Sequence, residues 1–270
     1  MIPNVLSIAG SDPSGGAGIQ ADLKSFAAMG AYGMAAITTL TAQNTQGVRG
    51  FVAMEPDFVT AQIDAVFDDI RVDAVKIGMV ATAPIARAIA AALRRHKPDN
   101  VVLDPVMVAT SGDRLLRDDA VAAIRDELAP LATVITPNMP EAAVLIGSGG
   151  PDSLAAMRAM LPTLHRLGCE WVLLKAGHLD SDDRTDLLFD GTTVTELPGR
   201  RIDTRNTHGT GCSLSSAIAA LLPRHPVPEA ARRAKAWLTG ALAGSDQLDV
   251  GSGHGPVHHF HALWPKEPAA

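Results

Sequence analysis

Cysteine and aromatic residues are scarce in this sequence, and each shortage excludes a class of protein. The chain has 270 residues and 2 cysteines, Cys169 and Cys212, which form no C-x-x-C pair, so neither a disulfide framework nor a thiolate zinc site is indicated. Aromatic residues make up 4% of the chain, too few for the stacking platforms that bind single-stranded nucleic acid. We therefore expect a reduced protein with an aliphatic core.

Runs of like charge and long hydrophobic runs are also missing. Lys and Arg number 23 against 29 Asp and Glu, a net charge of -6, so neither nucleic acid nor an anionic membrane has an electrostatic reason to bind. No stretch approaches the ~18 to 20 apolar residues that a membrane span needs. No basic residue precedes Lys24, which argues against a targeting segment. We predict a soluble, cytoplasmic protein.

Short apolar runs alternate with longer segments of helical period, which indicates βαβ units on a parallel sheet. This predicts one α/β domain over residues 1–270, with helices on both faces of the sheet. Segments 185–189 and 192–197 predict a hairpin that adds an antiparallel edge. The other predicted strands are 5–9, 35–40, 74–77, 101–103, 134–135 and 171–174. The predicted helices are 17–29, 56–67, 83–95, 118–128, 152–167, 213–222 and 229–242.

Polar and glycine residues follow the predicted strands, at the sheet edge where open α/β folds bind ligands. Asp22, just inside the first helix, could turn toward the same strand ends. The residues that follow the strands in chain order are Gly10, Gln43, Met79, Asp104, Asn138 and Lys175.

The first glycine loop, 10–18, follows a strand and opens a helix, as a phosphate-binding loop does. A P-loop requires Lys and then Ser or Thr directly after Gly15, but Gly16 and Ala17 stand there. A dinucleotide fingerprint is absent as well, because no G-x-G-x-x-G fits the stretch. From the residues alone, the segment predicts a tight strand-to-helix turn.

The second glycine loop, 206–212, precedes a strongly helical segment and is more informative. Backbone N–H groups at a helix start, together with the helix dipole, form a site for an anion such as a transferring phosphoryl group. Cys212 lies at this helix start, where the dipole favours a thiolate that could accept a proton from a substrate hydroxyl. The alternative is a buried, inert cysteine. For Cys169, beside a predicted strand, we expect core packing.

Six segments in order resemble the hydroxymethylpyrimidine and phosphomethylpyrimidine kinases, thiamine-pathway enzymes of the ribokinase-like superfamily. These are residues 9–22, 42–45, 76–79, 104–107, 136–142 and 208–212, and the ending 255–261 is similar too. The resemblance implies a three-layer α/β/α fold with a mostly parallel sheet and an antiparallel edge hairpin. It also implies two successive ATP-dependent phosphorylations of 4-amino-5-hydroxymethyl-2-methylpyrimidine at one site, and a homodimer.

The resemblance also assigns roles to residues at matching positions. Gln43 would read the pyrimidine, because its amide offers the donor and acceptor that an aminopyrimidine edge requires. Cys212 would be the general base, where most sugar kinases of the superfamily carry Asp. The resemblance implies that the pyrimidine pocket also contains Gly10, Asp22, Met79 and Val106, and that the anion hole consists of Gly209, Thr210 and Gly211. The nucleotide phosphates would be contacted by Lys175 and Lys235. Mg²⁺ would be bound, largely through water, by Asp104, Asn138 and Glu141.

Several of these residues have plainer interpretations. Asp104 could be a turn residue, and Asn138 with Glu141 also matches an ordinary capped helix start. The C-terminal histidines, 254, 258, 259 and 261, are expected to be structural or exposed and not metal ligands. Segments 10–18 and 109–117 are candidate lids over the site.

Two other functions stay open. Pyridoxal kinases share the fold and phosphorylate a hydroxymethyl group on an aromatic nitrogen ring, although Gln43 favours the pyrimidine. A non-catalytic pyrimidine-binding module is the other, but the presence of Cys212, Lys175 and Glu141 favours an enzyme.

Overall fold

The structure is a computed structural model that describes residues 1–107, 118–177, 179 and 181–264; the candidate lid 109–117 lies outside these residues. The strands are β1 Asn4–Ser11, β2 Tyr32–Asn44, β3 Gly47–Ala53, β4 Ala74–Ile77, β5 Val101–Leu103, β6 Val134–Ile135, β7 Trp171–Leu174, β8 Asp186–Phe189 and β9 Val194–Leu197. The α-helices are α1 Gly18–Ala28, α2 Pro56–Phe67, α3 Ala83–His96, α4 Asp118–Ala123, α5 Met139–Ile146, α6 Leu154–His165, α7 Thr210–Leu221 and α8 Val227–Ala243. No helix in these described ranges is long and apolar enough to cross a membrane.

The strands form one sheet in the order β3-β2-β1-β4-β5-β6-β7-β8-β9. All pairings from β2 through to β7 are parallel, whereas β3 on one side and the β8–β9 hairpin on the other are antiparallel. After β1 the chain builds β2 on one side of it and later returns to place β4 on the other. The crevice at the carboxyl ends of β1 and β4 is therefore the place where this topology binds ligands.

Alternate side chains along the strands pack into two separate hydrophobic cores, one on each face of the sheet. In β1, Leu6 and Ile8 belong to the core that contains α2, α3 and α6, while Val5 belongs to the core that contains α1, α7 and α8. This two-residue period of a strand buried on both faces confirms the predicted three-layer α/β/α architecture.

The predicted strands and helices are confirmed apart from their end points, but strand β3 and helix α5 are absent from the prediction. Gly10 and Gln43, predicted to follow the first two strands, lie within β1 and β2. Residues 47–53 form β3, which pairs with β2 and makes a second antiparallel edge. The sequence does not reveal β3 because its middle residues are exposed and two of its residues, Gly47 and Gly50, have no side chain. Without a buried face, the strand lacks the alternation of apolar and polar residues that would predict it. The predicted helix 118–128 is α-helical to Ala123 and then continues as a π-helical turn over Ile124–Leu128.

The first turns of α7 and α5 contain predicted site residues. Helix α7 begins at Thr210, three residues before the predicted start at 213, so Thr210, Gly211 and Cys212 form its first turn. Helix α5 begins with a reciprocal capping box, in which Asn138 Oδ1 accepts from the Glu141 N–H at 2.9 Å and Glu141 Oε2 accepts from the Asn138 N–H at 2.8 Å. The plain interpretation of these two residues as a capped helix start is thus correct.

Candidate active site

A cavity of about 840 Å³ opens at the carboxyl ends of the strands. Every predicted site residue except Asp22 lines it. We call the part formed by Lys76, Asp104, Glu141, Lys175 and Cys212 the buried end, and the part formed by Arg184, Asp186, Gly199 and Lys235 the hairpin end, because it adjoins β8 and β9.

The two glycine loops pack directly against each other to shape the start of α7. Gly209 adopts a left-handed conformation with φ of 76°, and a Cβ there would lie 1.8 Å from the Gly16 carbonyl oxygen. A Cβ on Gly16 would in turn lie 2.4 Å from the His208 ring. Only glycine fits at both positions, so the first loop supports the second. Thr210, Gly211 and Cys212 in the first turn of α7 line the cavity, and because a helix leaves its first N–H groups without partners inside it, this turn can hold an anion. We refer to it as the anion hole.

Cys212 lies in this first turn, with the Gly18 N–H directed at its sulfur. Burial raises the pKa of the Cys212 thiol to about 11, and the nearby Lys76 ammonium only partly offsets this rise. Burial thus opposes the thiolate that the sequence predicts at this helix start, and the thiol is the favoured form in the protein alone. Cys169, also buried, has its pKa raised to about 12 by desolvation and packs in the core as predicted.

Beneath the buried end, Asp22 and Lys76 form an ion pair whose side chains are both 0% exposed. Lys76 Nζ lies 2.8 Å from each Asp22 oxygen, and Ser7 and Ser216 donate to the same carboxylate at 2.6 and 2.7 Å. Burial alone would lower the pKa of Lys76, but Asp22, Cys212 and Asp104 outweigh it and raise the pKa. The prediction that Asp22 lines the pocket is wrong: Lys76 lines it, and Asp22 holds Lys76 from below.

A second ion pair joins the ends of β5 and β7. Lys175 Nζ lies 3.0 Å from Asp104 Oδ1, which also accepts from Thr136 Oγ1 at 3.1 Å. The other oxygen, Asp104 Oδ2, lies near Gly211, where an added Cβ would be 3.4 Å from it. Asp104, Lys175 and the anion hole therefore form one continuous surface.

Glu141 reaches the same surface from α5. Burial raises the pKa of Glu141 to about 7, opposed by Lys175 and reinforced by Asp104. Within the described part of the chain, no three His, Cys, Asp or Glu residues converge as a metal cage. Two carboxylates at a phosphate site nevertheless fit Mg²⁺, which keeps most of its water and binds through one or two carboxylates and the substrate phosphates. Asn138 Oδ1 is committed to capping α5.

Near Gln43, the cavity wall is formed by residues from three strand ends. Gly10 approaches Met79 and Thr39 closely, with a Cβ position 3.5 Å from the Met79 sulfur. Val106 and Val48 add apolar surface. The structure thus brings Gly10, Gln43, Met79 and Val106 together as predicted, at the crevice between β1 and β4.

Sequence reasoning missed a buried pair beside Gln43. His208 Nε2 lies 2.8 Å from Asp12 Oδ2 and 3.4 Å from Gln43 Nε2. Both members of the pair are at most 5% exposed. The sequence could have suggested this pair, because the two glycine loops contain one carboxylate, Asp12, and one imidazole, His208.

At the hairpin end, Lys235 is bound to protein acceptors. Its Nζ lies 2.8 Å from Asp186 Oδ2, 2.7 Å from the Leu197 carbonyl oxygen and 2.5 Å from that of Arg184. These acceptors take up all three ammonium hydrogens, so Lys235 ties α8 to the hairpin and does not point a free donor at a phosphate. This corrects its predicted role.

Two of the four C-terminal histidines, His258 and His259, are buried. His259 Nε2 lies 2.9 Å from Ser213 Oγ, just behind the first turn of α7, and burial lowers the pKa of His259 to about 3. His259 therefore supports the first turn of α7 from behind.

Comparisons with known proteins agree with this geometry. Residues 12–258 match the family model described as phosphomethylpyrimidine kinase. The chain is 53% identical to the hydroxymethylpyrimidine/phosphomethylpyrimidine kinase of Salmonella typhimurium, over 97% of this chain and 98% of that one.

Solved structures of both phosphomethylpyrimidine kinases and pyridoxal kinases are similar to this chain. A phosphomethylpyrimidine kinase from Clostridium difficile is 40% identical with a TM-score of 0.79, covering 89% of this chain and 99% of its own. A pyridoxal kinase from Bacillus subtilis, solved as an ADP complex, is 37% identical with a TM-score of 0.90, covering 97% and 99%.

Proposed function

This chain belongs to the phosphomethylpyrimidine kinase family, and from that premise we propose that it uses ATP to phosphorylate 4-amino-5-hydroxymethyl-2-methylpyrimidine, and then the monophosphate, in thiamine biosynthesis. The observation that supports this most strongly is a single cavity lined both by Gln43, Met79 and Val106 and by the anion hole. One site of this kind suits two successive transfers to the same ring substituent. The proposed catalytic domain spans residues 1–270.

In the proposed reaction the substrate hydroxymethyl oxygen forms a bond to the γ-phosphorus of ATP while the bond to the β–γ bridging oxygen breaks. The N–H groups of Gly211 and Cys212, together with Thr210 and Lys175, would stabilise the charge on the transferring group. Gln43 would read the ring, with Gly10, Met79 and Val106 around it. Asp22 would act indirectly by holding the Lys76 ammonium at the cavity floor.

Cys212 is assigned as the proton acceptor because of its place in the first turn of α7, next to Lys76 and the anion hole. Its high pKa means that it is a thiol in the protein alone. To accept the substrate proton, Cys212 would first release its own thiol proton to solvent, and the Lys76 ammonium would stabilise the resulting thiolate. A loose phosphoryl-transfer transition state demands little early proton removal, so transfer to this thiolate can come late in the step.

Asp104 and Glu141 would hold Mg²⁺, chiefly through water. When bound, the ion would neutralise the charge of the nucleotide phosphates. Lys175 already balances Asp104, which keeps the site from carrying excess negative charge before nucleotide arrives.

The test is mass spectrometry of the products formed from Mg-ATP with the hydroxymethylpyrimidine, with its monophosphate and with pyridoxal, in separate reactions. We expect the mono- and then the diphosphate from the pyrimidine. Pyridoxal phosphate as the sole product would move the function to vitamin B6, for which the Bacillus subtilis pyridoxal kinase provides a related structure.

We further propose a cytoplasmic homodimer assembled through β3. In this edge strand the side chain of Phe51 is 46% exposed and that of Val52 is 65% exposed. Leu40, the cross-strand partner of Val52, is 46% exposed. An edge strand with exposed apolar side chains is suited to pairing with a second copy of the chain. Sedimentation of wild type and of Val52→Glu tests this, since only the variant should run as a monomer.

A further inference from the structure

The amide of Gln43 lies between two hydrogen-bonding side chains, one at each of its ends. Gln43 Nε2 is 3.4 Å from His208 Nε2, and Gln43 Oε1 is 3.2 Å from Thr41 Oγ1. Which end of an amide carries the oxygen is assigned from its hydrogen-bond partners. Both partners can be assigned here from their other contacts.

On the first side, His208 Nε2 lies 2.8 Å from Asp12 Oδ2. Burial would raise the pKa of Asp12, but hydrogen bonds from His208, Ser14 and Ala17 outweigh burial and lower it to about 2. Asp12 is therefore an ionised carboxylate, which only accepts hydrogen bonds. The hydrogen between the two groups must then belong to His208 Nε2, where it is used toward Asp12. His208 Nε2 therefore has no lone pair with which to accept from the NH₂ group of Gln43.

On the second side, Thr41 Oγ1 lies 2.8 Å from the Ser11 carbonyl oxygen. A carbonyl oxygen only accepts, so the single hydroxyl hydrogen of Thr41 is used there. Toward Gln43, Thr41 can offer only a lone pair.

Both neighbours therefore require the same orientation, with the amide oxygen of Gln43 toward His208 and its NH₂ group toward Thr41. We propose that Asp12, His208 and Thr41 are positioning residues that fix this orientation and so determine which pyrimidines the enzyme accepts. The inference rests on the proposed function, because it takes Gln43 as the residue that reads the ring.

Fixing the amide matters because its two orientations suit opposite ring edges. A 4-aminopyrimidine presents an acceptor ring nitrogen beside an amino donor, whereas the 4-oxo analogue presents a ring N–H beside a carbonyl acceptor. An amide held one way pairs with only one of these patterns, and the other leaves buried polar groups unpaired. An amide free to turn would pair with either.

The experiment compares kcat/KM for the 4-amino substrate and for 5-hydroxymethyl-2-methylpyrimidin-4-one in wild type, Thr41→Val, His208→Leu and His208→Gln. We expect wild type to prefer the 4-amino ring, and Thr41→Val and His208→Leu to shrink that preference by roughly tenfold or more. The change should fall on the pyrimidine KM, with the KM for ATP unchanged. His208→Gln keeps an N–H donor and should retain more of the preference than His208→Leu.

The matched control is His96→Leu. It removes another histidine bound to a carboxylate, Asp64, at 2.6 Å on the surface. This control should keep the full preference. Thr41→Val keeps the test decisive if His208→Leu fails to fold, because Thr41 lies on β2 and is only half-buried.

An equal loss of kcat/KM with both rings would mean that these residues only support the fold, and would overturn the inference. An unchanged preference in both Thr41→Val and His208→Leu would overturn it too. The wild type reports on the proposed function separately: if it phosphorylates neither pyrimidine, that function fails and the inference fails with it.

Discussion

The buried end and the hairpin end of the cavity both carry lysines, but they hold them differently. At the buried end, Lys76 and Lys175 each face a carboxylate from another part of the chain, and the Lys76–Asp22 pair is 0% exposed. At the hairpin end, Lys235 is bound to a carboxylate and two backbone carbonyls, and Arg200 and Arg201 are exposed.

This difference separates two tasks. Charges fixed in advance and shielded from water can stabilise a transition state without reorganising, which is what the buried end offers. An open end with exposed arginines suits a nucleotide that must enter and leave. Substitutions at the two ends should therefore have different effects.

The largest effect is expected for Cys212→Ala. If Cys212 is the proton acceptor, kcat should fall by roughly 100- to 10,000-fold, while the pyrimidine and ATP dissociation constants stay nearly unchanged, because binding does not use the thiol. Single-turnover kinetics with calorimetry measures both. Cys169→Ala, which removes the core cysteine, is the control and should keep full turnover; equal turnover in Cys212→Ala would remove this residue from the reaction.

The next effect concerns stability and compares the two ends directly. Lys76→Met leaves Asp22 charged and fully buried without its partner, which should lower the free energy of unfolding by about 3 to 5 kcal/mol. Lys235→Met should cost less, since the Asp186 side chain it leaves is 10% exposed and water can reach it. Urea unfolding measures both, and an equal loss would show that the two ends are not built differently.

The buried end was also the more predictable one from sequence. Two of its residues, Asp104 and Lys175, directly follow short aliphatic strands, so the parallel topology alone brings them to one edge. The hairpin end combines residues at the start of β8, just after β9 and on α8. Only tertiary packing brings these residues together, so the strand pattern gave no signal for this end.

Within the buried end, sequence reasoning failed where burial decides the outcome. At Cys212 the sequence argument counted the helix dipole, which favours a thiolate, and left out desolvation, which raises the pKa of the thiol. Asp22 was placed on the correct element, but only the packing of α1 against α7 shows that it lies beneath Lys76. The pair of Asp12 and His208 joins residues 196 positions apart, a contact that local patterns do not reveal.

Gly209→Ala should disturb the buried end without altering any charge. Its Cβ would meet the Gly16 carbonyl oxygen, and alanine is disfavoured at a φ of 76°, so the free energy of unfolding should drop by about 2 to 4 kcal/mol. Gly149→Ala, where a Cβ meets nothing within 4 Å, is the matched control and should change little. Similar melting curves for the two variants would mean that the loop contact is not a tight one.

The smallest effect depends on pH and tests whether Asp12 is held as an ion. Because its pKa falls from 3.8 to about 2 on folding, the folded state binds this proton less tightly than the unfolded state. The stabilisation is therefore fully present above about pH 5 and is lost as the pH falls toward 2. Allowing for screening at the cavity wall, we expect about 1 to 2 kcal/mol.

Asp12→Asn lacks this carboxylate, so the difference in unfolding free energy between wild type and variant should be constant from pH 7 to 5 and shrink below pH 4. Urea unfolding at each pH gives that difference directly. If it stays constant down to pH 2.5, the carboxylate gains nothing from ionising in the folded protein. The hydrogen shared with His208 could then sit on Asp12, and the fixed orientation of Gln43 would lose its basis.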